Sequence, residues 1–290
     1  MLKAIHAQQS CEWPNGRRKR SSKIYGLRRE QGGRRANMPP LLRTDCPSQS
    51  PRWETILDVD ALADTDKKNW VLKRVGCLPP EERLCLLNLS EGGKDAVFVR
   101  EFDAVAKTFV TNGFALPEGK QQVTWVNSDT VLITRDWGEG TMTQAGYPFV
   151  VKELKRAQSL AEAREVFRGE PTDVEAKPFV LRDSEGTIHA TGAVRRIGFF
   201  EHEYVLFGSK PINLNLPKKA TIGGIASGRL LMTLNEDWMP PSGDTPSQPA
   251  RSSRMTWPNG GRIRCAPCPP SFSSLDLDKR SADSPPQETC

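Results

Sequence analysis

"VTWVNSDTVLITRD" (residues 123–136) alternates apolar and polar positions, breaks at Asn127, Ser128 and Asp129, and alternates again. A period of two interrupted by turn-forming residues is the signature of a β-hairpin, with Val123 and Trp125 on one strand and Val131 to Ile133 on the next. A second hairpin is expected where Val180 and Leu181 turn through Asp183 to Gly186 into Thr187 and Ile188, and a third where Phe199 and Phe200 turn through Glu201 and His202 into Tyr204 to Phe207. Further short apolar runs, "RLCLLNLSEGG" (83–93), "AVFVREFD" (96–103) and "YPFVVKEL" (147–154), also have strand length. Only "SLAEAREVF" (159–167) offers a helix; it is short and followed by Gly169, so a helical turn and the start of a strand fit it equally well.

A repeat links these runs. "FVREFD" (98–103), "TFV" (108–110) and the opening hairpin are echoed by "FVVKELK" (149–155), "EVFRGE" (165–170) and "FVLRDSEGTIHATG" (179–192), with Phe98 answering Phe149 after 51 residues. A period of roughly 40–50 residues carrying four strands marks propeller blades. The fold class expected is all-β, an incomplete β-propeller; periodicity alone leaves a sandwich or a barrel as the competing all-β architecture.

Outward from this region the composition changes. Residues 1–52 carry "GRRKR", "GLRRE" and "GGRR" with few apolar neighbours, and residues 245–290 are rich in Pro, Ser, Arg and Gly without periodicity. Three segments follow: a basic tail, 1–52, expected to be disordered but for remnants of a first strand; a partial propeller, 53–244; and a second disordered tail, 245–290. The 37% hydrophobic content of the 290 residues fits a chain packed only in its middle. A net charge of +6 invites a nucleic-acid reading, but much of the excess lies in the N-terminal tail and no aromatic residues are interleaved with the bases, so nucleic acid is not expected as a partner. "MLKAIHAQQSCEW" has no secretory apolar core and no run approaches the roughly 20 residues of a membrane span, so a soluble, cytoplasmic protein without a membrane partner is expected.

The seven cysteines are Cys11, Cys46, Cys77, Cys85, Cys265, Cys268 and Cys290. Their odd number, and Cys85 within an apolar strand, argue against a disulfide framework. "CAPC" (265–268) has metal or redox spacing but lacks a second ligand pair. No metal and no cofactor are expected.

"WETILDVDAL" (53–62), "GGKDAVFVREFDAVAKTFVTNGFALPEGK" (92–120), "VTWVNSDTVLITRDWGEGTMTQAGYPFVVKELKR" (123–156) and "RLLMTLNEDW" (229–238) together resemble the N-terminal β-propeller of bacterial members of the prolyl oligopeptidase family of serine peptidases. The resemblance covers about two thirds of the chain, Trp53 to Asp244. It implies a seven-bladed ring that restricts peptide access to a separate α/β-hydrolase domain, the natural packing partner, with metal-free cleavage after proline. That cleavage needs a serine on a G-x-S-x-G elbow, a histidine and an aspartate. "GGIASGR" around Ser227 lacks the spacing and reads as a turn; His189 and His202 lie in or beside hairpins; "HEY" is not a zinc-peptidase HExxH; Asp136, Glu139, Glu236 and Asp237 match the family but have structural uses in a cap. No catalytic, cofactor-binding or metal residue is therefore assigned, and the chain itself is expected to be inactive. A non-enzymatic interaction module is the alternative reading.

After "EDW" the family-like text stops, and "TPSQPARSSRMTWPNGGRIRCAPCPPSF" (245–272) follows. Translation in a displaced reading frame accounts for such a break, because codons permitted for this peptide can encode strand-like text one nucleotide away. An incomplete ring would expose apolar faces and strand edges, predicting a marginal or aggregation-prone chain.

Overall fold

A computed structural model describes residues 24–27, 41–44, 54–226, 229–236, 255–256 and 262–267. Short antiparallel sheets follow one another along the chain. The first joins β1 (Ile24–Leu27), β2 (Leu41–Thr44) and β3 (Glu54–Leu57), and is followed by the helix α1 (Val59–Asp66). The second runs β4 (Trp70–Cys77), β5 (Leu84–Glu91), β6 (Val97–Asp103) and β7 (Thr108–Phe109), with β8 (Ala115–Gly119) also paired to β6. The third holds β9 (Gln121–Asn127), β10 (Thr130–Arg135), β11 (Val150–Lys155) and β12 (Arg164–Arg168). The fourth holds β13 (Glu175–Arg182), β14 (Ile188–Arg196), β15 (His202–Leu206) and β16 (Ile212–Asn213). The fifth holds β17 (Ala220–Ala226) and β18 (Arg229–Leu234), then β19 (Met255–Thr256) and β20 (Arg262–Pro267), with β20 beside β18. These are the blades of a partial β-propeller, as the repeat predicts.

The 51-residue echo matches equivalent strands of successive blades, with Phe98 packed toward the preceding blade and Phe149 toward the following one. Phe98 lies on β6 and Phe149 immediately precedes β11, each the third strand of its blade, and "VTWVNSDTVLITRD" and "FVLRDSEGTIHATG" each supply the first two strands of the next. Side-chain alternation explains the stacking. On β5, Cys85, Leu87 and Leu89 pack with Ile56, Val59, Trp70 and Phe102, while Leu86 turns the other way onto Val123, Trp125, Val131 and Ile133 of the next blade. On β10, Leu132 leaves Val131 and Ile133 on that side and joins Ala176, Ala193 and Val205 beyond. Tyr204 and Leu206 then face Ile225, Leu230 and Met232. Each buried Leu, Ile or Phe contributes about 1.5–3 kcal/mol, so these shared cores dominate the cohesion between blades.

Polar anchors set the relative rotation of the blades. Trp125 Nε1 donates to the Gly76 carbonyl at 2.9 Å, and Arg182 reaches back from β13 to the carbonyls of Trp125, at 2.8 Å, and Val126. Arg156, just beyond β11, makes two 3.0 Å hydrogen bonds to the carboxylate of Glu101 on β6, which is 2% exposed and also accepts from Phe114 N at 2.7 Å. The guanidinium lies over the Phe114 ring and is held by its anionic partners well above its ordinary proton affinity.

Four features depart from the sequence reading. The helix is α1, which the sequence reading does not offer; the 159–167 segment forms a single 3₁₀ turn at Leu160–Glu162 and then β12, so both the helical turn and the strand start left open there occur. Val59, Leu62 and Ala63 of α1 form a short i, i+3, i+4 apolar face against the first core, of which only Val59 is fully buried; the Asp58 carboxylate caps the helix by accepting from Asp60 N and Ala61 N. The third hairpin joins β14 to β15, and Phe199 and Phe200 sit in its turn, closed by Ile197 N and Gly198 N donating to Glu201 O. Cys77 and Cys85 are joined in a disulfide, against the expectation drawn from the odd cysteine count, because the β4–β5 register sets them opposite one another. β19 and β20 lie within 245–290, where no strand is expected, whereas β1, which contains Tyr25, and β2 lie within 1–52, where remnants of a first strand are.

Arg156→Met removes one partner from a carboxylate that stays buried, and is expected to cost about 3–5 kcal/mol in urea unfolding. An unchanged midpoint would show that the pair contributes nothing to blade docking.

Candidate functional site at the proximal end of the propeller

The first strands β4, β9, β13 and β17 contact their counterparts in adjacent blades and line the axis. They all begin at one end of the blades, here the proximal end, and finish at the distal end. At the distal end, the β13–β14 turn meets the β4–β5 turn: a Cβ on Gly186, whose φ is +90°, would lie 2.8 Å from Pro80 Cδ. A cleft of about 290 Å³ also opens near this end between the second and third sheets, lined by Asn112, Phe114, Leu116, Arg156, Ser159 and Leu160 among others.

The proximal end carries the longest connection whose residues are all described, residues 136–149, which contains the family-like "WGEGTMTQAGYP". Its residues build the loop. Asp136 Oδ1 accepts from Gly138 N at 2.9 Å, Thr141 Oγ1 accepts from Trp137 N and donates to Gly138 O, and Thr143 Oγ1 donates to Val174 O at 3.0 Å, tying the loop to the next blade. Trp137 Nε1 donates to Val150 O at 3.1 Å. Gly138, Gly140 and Gly146 have φ of 112°, 73° and 76°, conformations that favour glycine and explain their place in the pattern.

Around this loop cations meet aromatic faces. Lys152 Nζ and Arg135 Cζ lie 4.6 and 5.8 Å from the Trp137 ring centroid, and Lys120 Nζ lies 4.9 Å from that of Tyr147 while donating to Gly146 O at 3.1 Å. The sequence reading passed over these three cations, which are separated along the chain and gathered only by strand pairing.

The residues weighed from the sequence do not converge. Asp136 and Glu139 are exposed, Asp136 serving its turn, and Glu236 Oε1 accepts from Lys219 N at 2.9 Å. Ser227, Asp237 and Cys268 lie outside the described residues, and Cys265 is on β20. His189 Nε2 lies 3.0 Å from Asp183 Oδ2, a pairing that holds the pKa of the Asp183 carboxyl below its ordinary value. His202 stands on β15 with Nδ1 buried and unpartnered. Among the described residues there is no group of three or more His, Cys, Asp or Glu side chains able to hold a metal ion, and no helix long and apolar enough to cross a membrane.

Comparison with known proteins gives this architecture its class. The family model described as the prolyl oligopeptidase N-terminal β-propeller domain matches residues 18–176, beginning within the basic N-terminal segment. The chain belongs to the prolyl oligopeptidase family through this domain. An uncharacterized peptidase of Sinorhizobium fredii is 45% identical over 196 residues, covering 66% of this chain and 27% of that protein. A second, from Rickettsia prowazekii, is 28% identical over 203 residues, covering 65% and 28%. The chain thus spans little more than a quarter of the curated relatives it matches. Among solved structures, a post-proline cleaving enzyme from Rickettsia typhi aligns with a TM-score of 0.65 at 24% identity, over 77% of this chain and 35% of that one. Oligopeptidase B from Leishmania major aligns at 0.53 and 12% identity, over 74% and 30%. These two show the shared fold.

Burial holds the His202 imidazole below its ordinary proton affinity; the charges of Arg196 and Lys177 act in the same direction, and Glu175 and the backbone bond to Lys218 oppose them. The unfolded chain therefore binds this proton at a higher pH than the folded one, and stability rises with pH across the interval between the two values. The melting temperature is expected to fall as pH falls below about 6.5, and His202→Gln is expected to flatten that slope. An identical slope in the variant would assign the pH dependence to other groups.

Proposed function

We propose that this chain is the propeller cap of a prolyl oligopeptidase-type serine peptidase, restricting peptide access to an active site on a separate α/β-hydrolase domain, and has no peptidase activity of its own. The observation that carries the reading is the family match: it is to the propeller domain, over residues 18–176, in a chain that spans 27% of its relative from Sinorhizobium fredii. Topology supports a place for the catalytic domain. The second to fifth sheets each begin their innermost strand at the proximal end, so chain passing into the first blade of such a ring arrives there, and a domain joined to it would sit over that mouth. Size exclusion by a ring then selects peptides over folded proteins. In such a protein the triad and oxyanion donors belong to the hydrolase domain.

One observation favours the alternative of a non-enzymatic interaction module. Phe199 and Phe200 are 77% and 70% exposed at the proximal end, with ring centroids 4.7 Å apart. A catalytic domain over the proximal mouth would offer these rings a cover, so the first reading accommodates them as well.

Purified chain is expected to release no fluorophore from a blocked Gly-Pro aminomethylcoumarin substrate. Hydrolysis that co-purifies with the chain and is blocked by a serine-directed phosphonate would overturn the inactive-cap reading.

A further inference from the structure

Arg135 is an electrostatic anomaly. It ends β10 on the same side of the sheet as Val131 and Ile133, facing the preceding blade, opposite Gln121 at the start of the inner strand β9. Its guanidinium packs against the Gly119 backbone, where a Cβ would lie 3.3 Å from Nη2. Nε donates to Asp136 O at 3.3 Å, and Nη1 is buried with no hydrogen-bond partner. Lys152, opposite Ile133 across the β10–β11 ladder, brings its ammonium to the same Trp137 ring. Among the described residues neither Arg135 nor Lys152 forms an ion pair. The nearby carboxylates have other roles: Asp136 caps Gly138, and Glu118 faces Lys94 at 3.7 Å.

A guanidinium drawn partly out of water and left unpaired is costly, and burial lowers the proton affinity of this one. The same arrangement is what a carboxylate receptor requires: a planar donor fork near an aromatic ring, a second cation beside it, and terminal N–H groups left without partners among the described residues. We propose that Arg135, Lys152 and Trp137 form a binding site for the free C-terminal carboxylate of an oligopeptide at the proximal mouth of the propeller. The carboxylate accepts from Arg135 Nη2, which has no hydrogen-bond partner among the described residues and, unlike Nη1, is not sealed from solvent, and is neutralised by Lys152, while Lys120, over Tyr147, adds positive potential at the rim. The choice of a peptide terminus rests on the reading of this chain as a peptidase cap. In that setting the site orients a peptide at the mouth by its last residue.

The test is isothermal titration calorimetry of the 290-residue chain with acetyl-trialanine as the free acid and as the C-terminal amide, at constant ionic strength. The acid is expected to bind saturably, with the amide weaker by at least about tenfold, the loss expected when a charge-assisted pair is removed. Arg135→Met is expected to lose the acid's advantage while melting at the same temperature or higher, because it removes an unpaired buried charge. Lys152→Met, whose side chain is half-buried, is expected to weaken acid binding and keep the fold, and so tests the site independently. The proposal fails if acid and amide bind alike, if neither binds, if both variants keep the acid's affinity, or if inorganic phosphate displaces the peptide more effectively than acetate. This titration reads binding and the coumarin assay reads hydrolysis, so either reading can fail without the other.

Discussion

The central constraint on this molecule is that its sheets are apolar on both faces. Along β5 the residues divide by parity, Cys85, Leu87 and Leu89 to one side and Leu86 to the other, and all are buried. A sheet of this kind cannot present one face to water, so each blade needs a neighbour on both sides. The successive cores, from Trp70 and Phe102 through Trp125 and Ile133 to Leu230 and Met232, are one solution applied repeatedly. The propeller follows from this, since stacked, twisted sheets with tapering inner strands fan around an axis.

Apolar faces are poor at fixing rotation, and polar anchors supply what they lack. Arg182 reaches two carbonyls at the end of β9, Trp125 reaches Gly76, and Arg156 clasps the buried Glu101. Each crosses from one blade to the one before it. Directional bonds of this kind have a single good geometry, whereas hydrophobic contact tolerates sliding. The third sheet is thereby tied to both neighbours, and its long loop, residues 136–149, is held at the proximal end by Thr143 against Val174.

Charge is treated differently at the two ends of this sheet. Distally, Arg156 meets a buried carboxylate; proximally, Arg135 and Lys152 lie against Trp137 without an ion-pair partner among the described residues. Packing alone gives no reason for the second arrangement, because an apolar side chain would fill the same space at lower cost. Sites that bind ligands often carry groups that destabilise the free protein, and the proximal mouth has that character.

Much of the blade plan was legible in the residues themselves. Alternation and turn chemistry located the hairpins at 127–129 and 183–186, and the 51-residue echo placed Phe98 and Phe149 at the third strands of successive blades, though on opposite faces. These are local properties, carried by a period of two and by Asn, Asp and Gly at the turns. Helix α1 was hidden because its apolar face is only Val59, Leu62 and Ala63 within eight residues, and Phe199 and Phe200 read as strand because an apolar pair looks the same whether it is buried or displayed in a turn. The family, too, was legible as a resemblance carried by ordered motifs. Tertiary structure alone decided which cations meet: Lys120, Arg135 and Lys152 are brought together by the β9–β10–β11 register, and Glu101 finds Arg156 across 55 residues. Sequence determines periodicity because backbone geometry repeats locally, while long-range partners are set by how blades stack, a property of many residues at once.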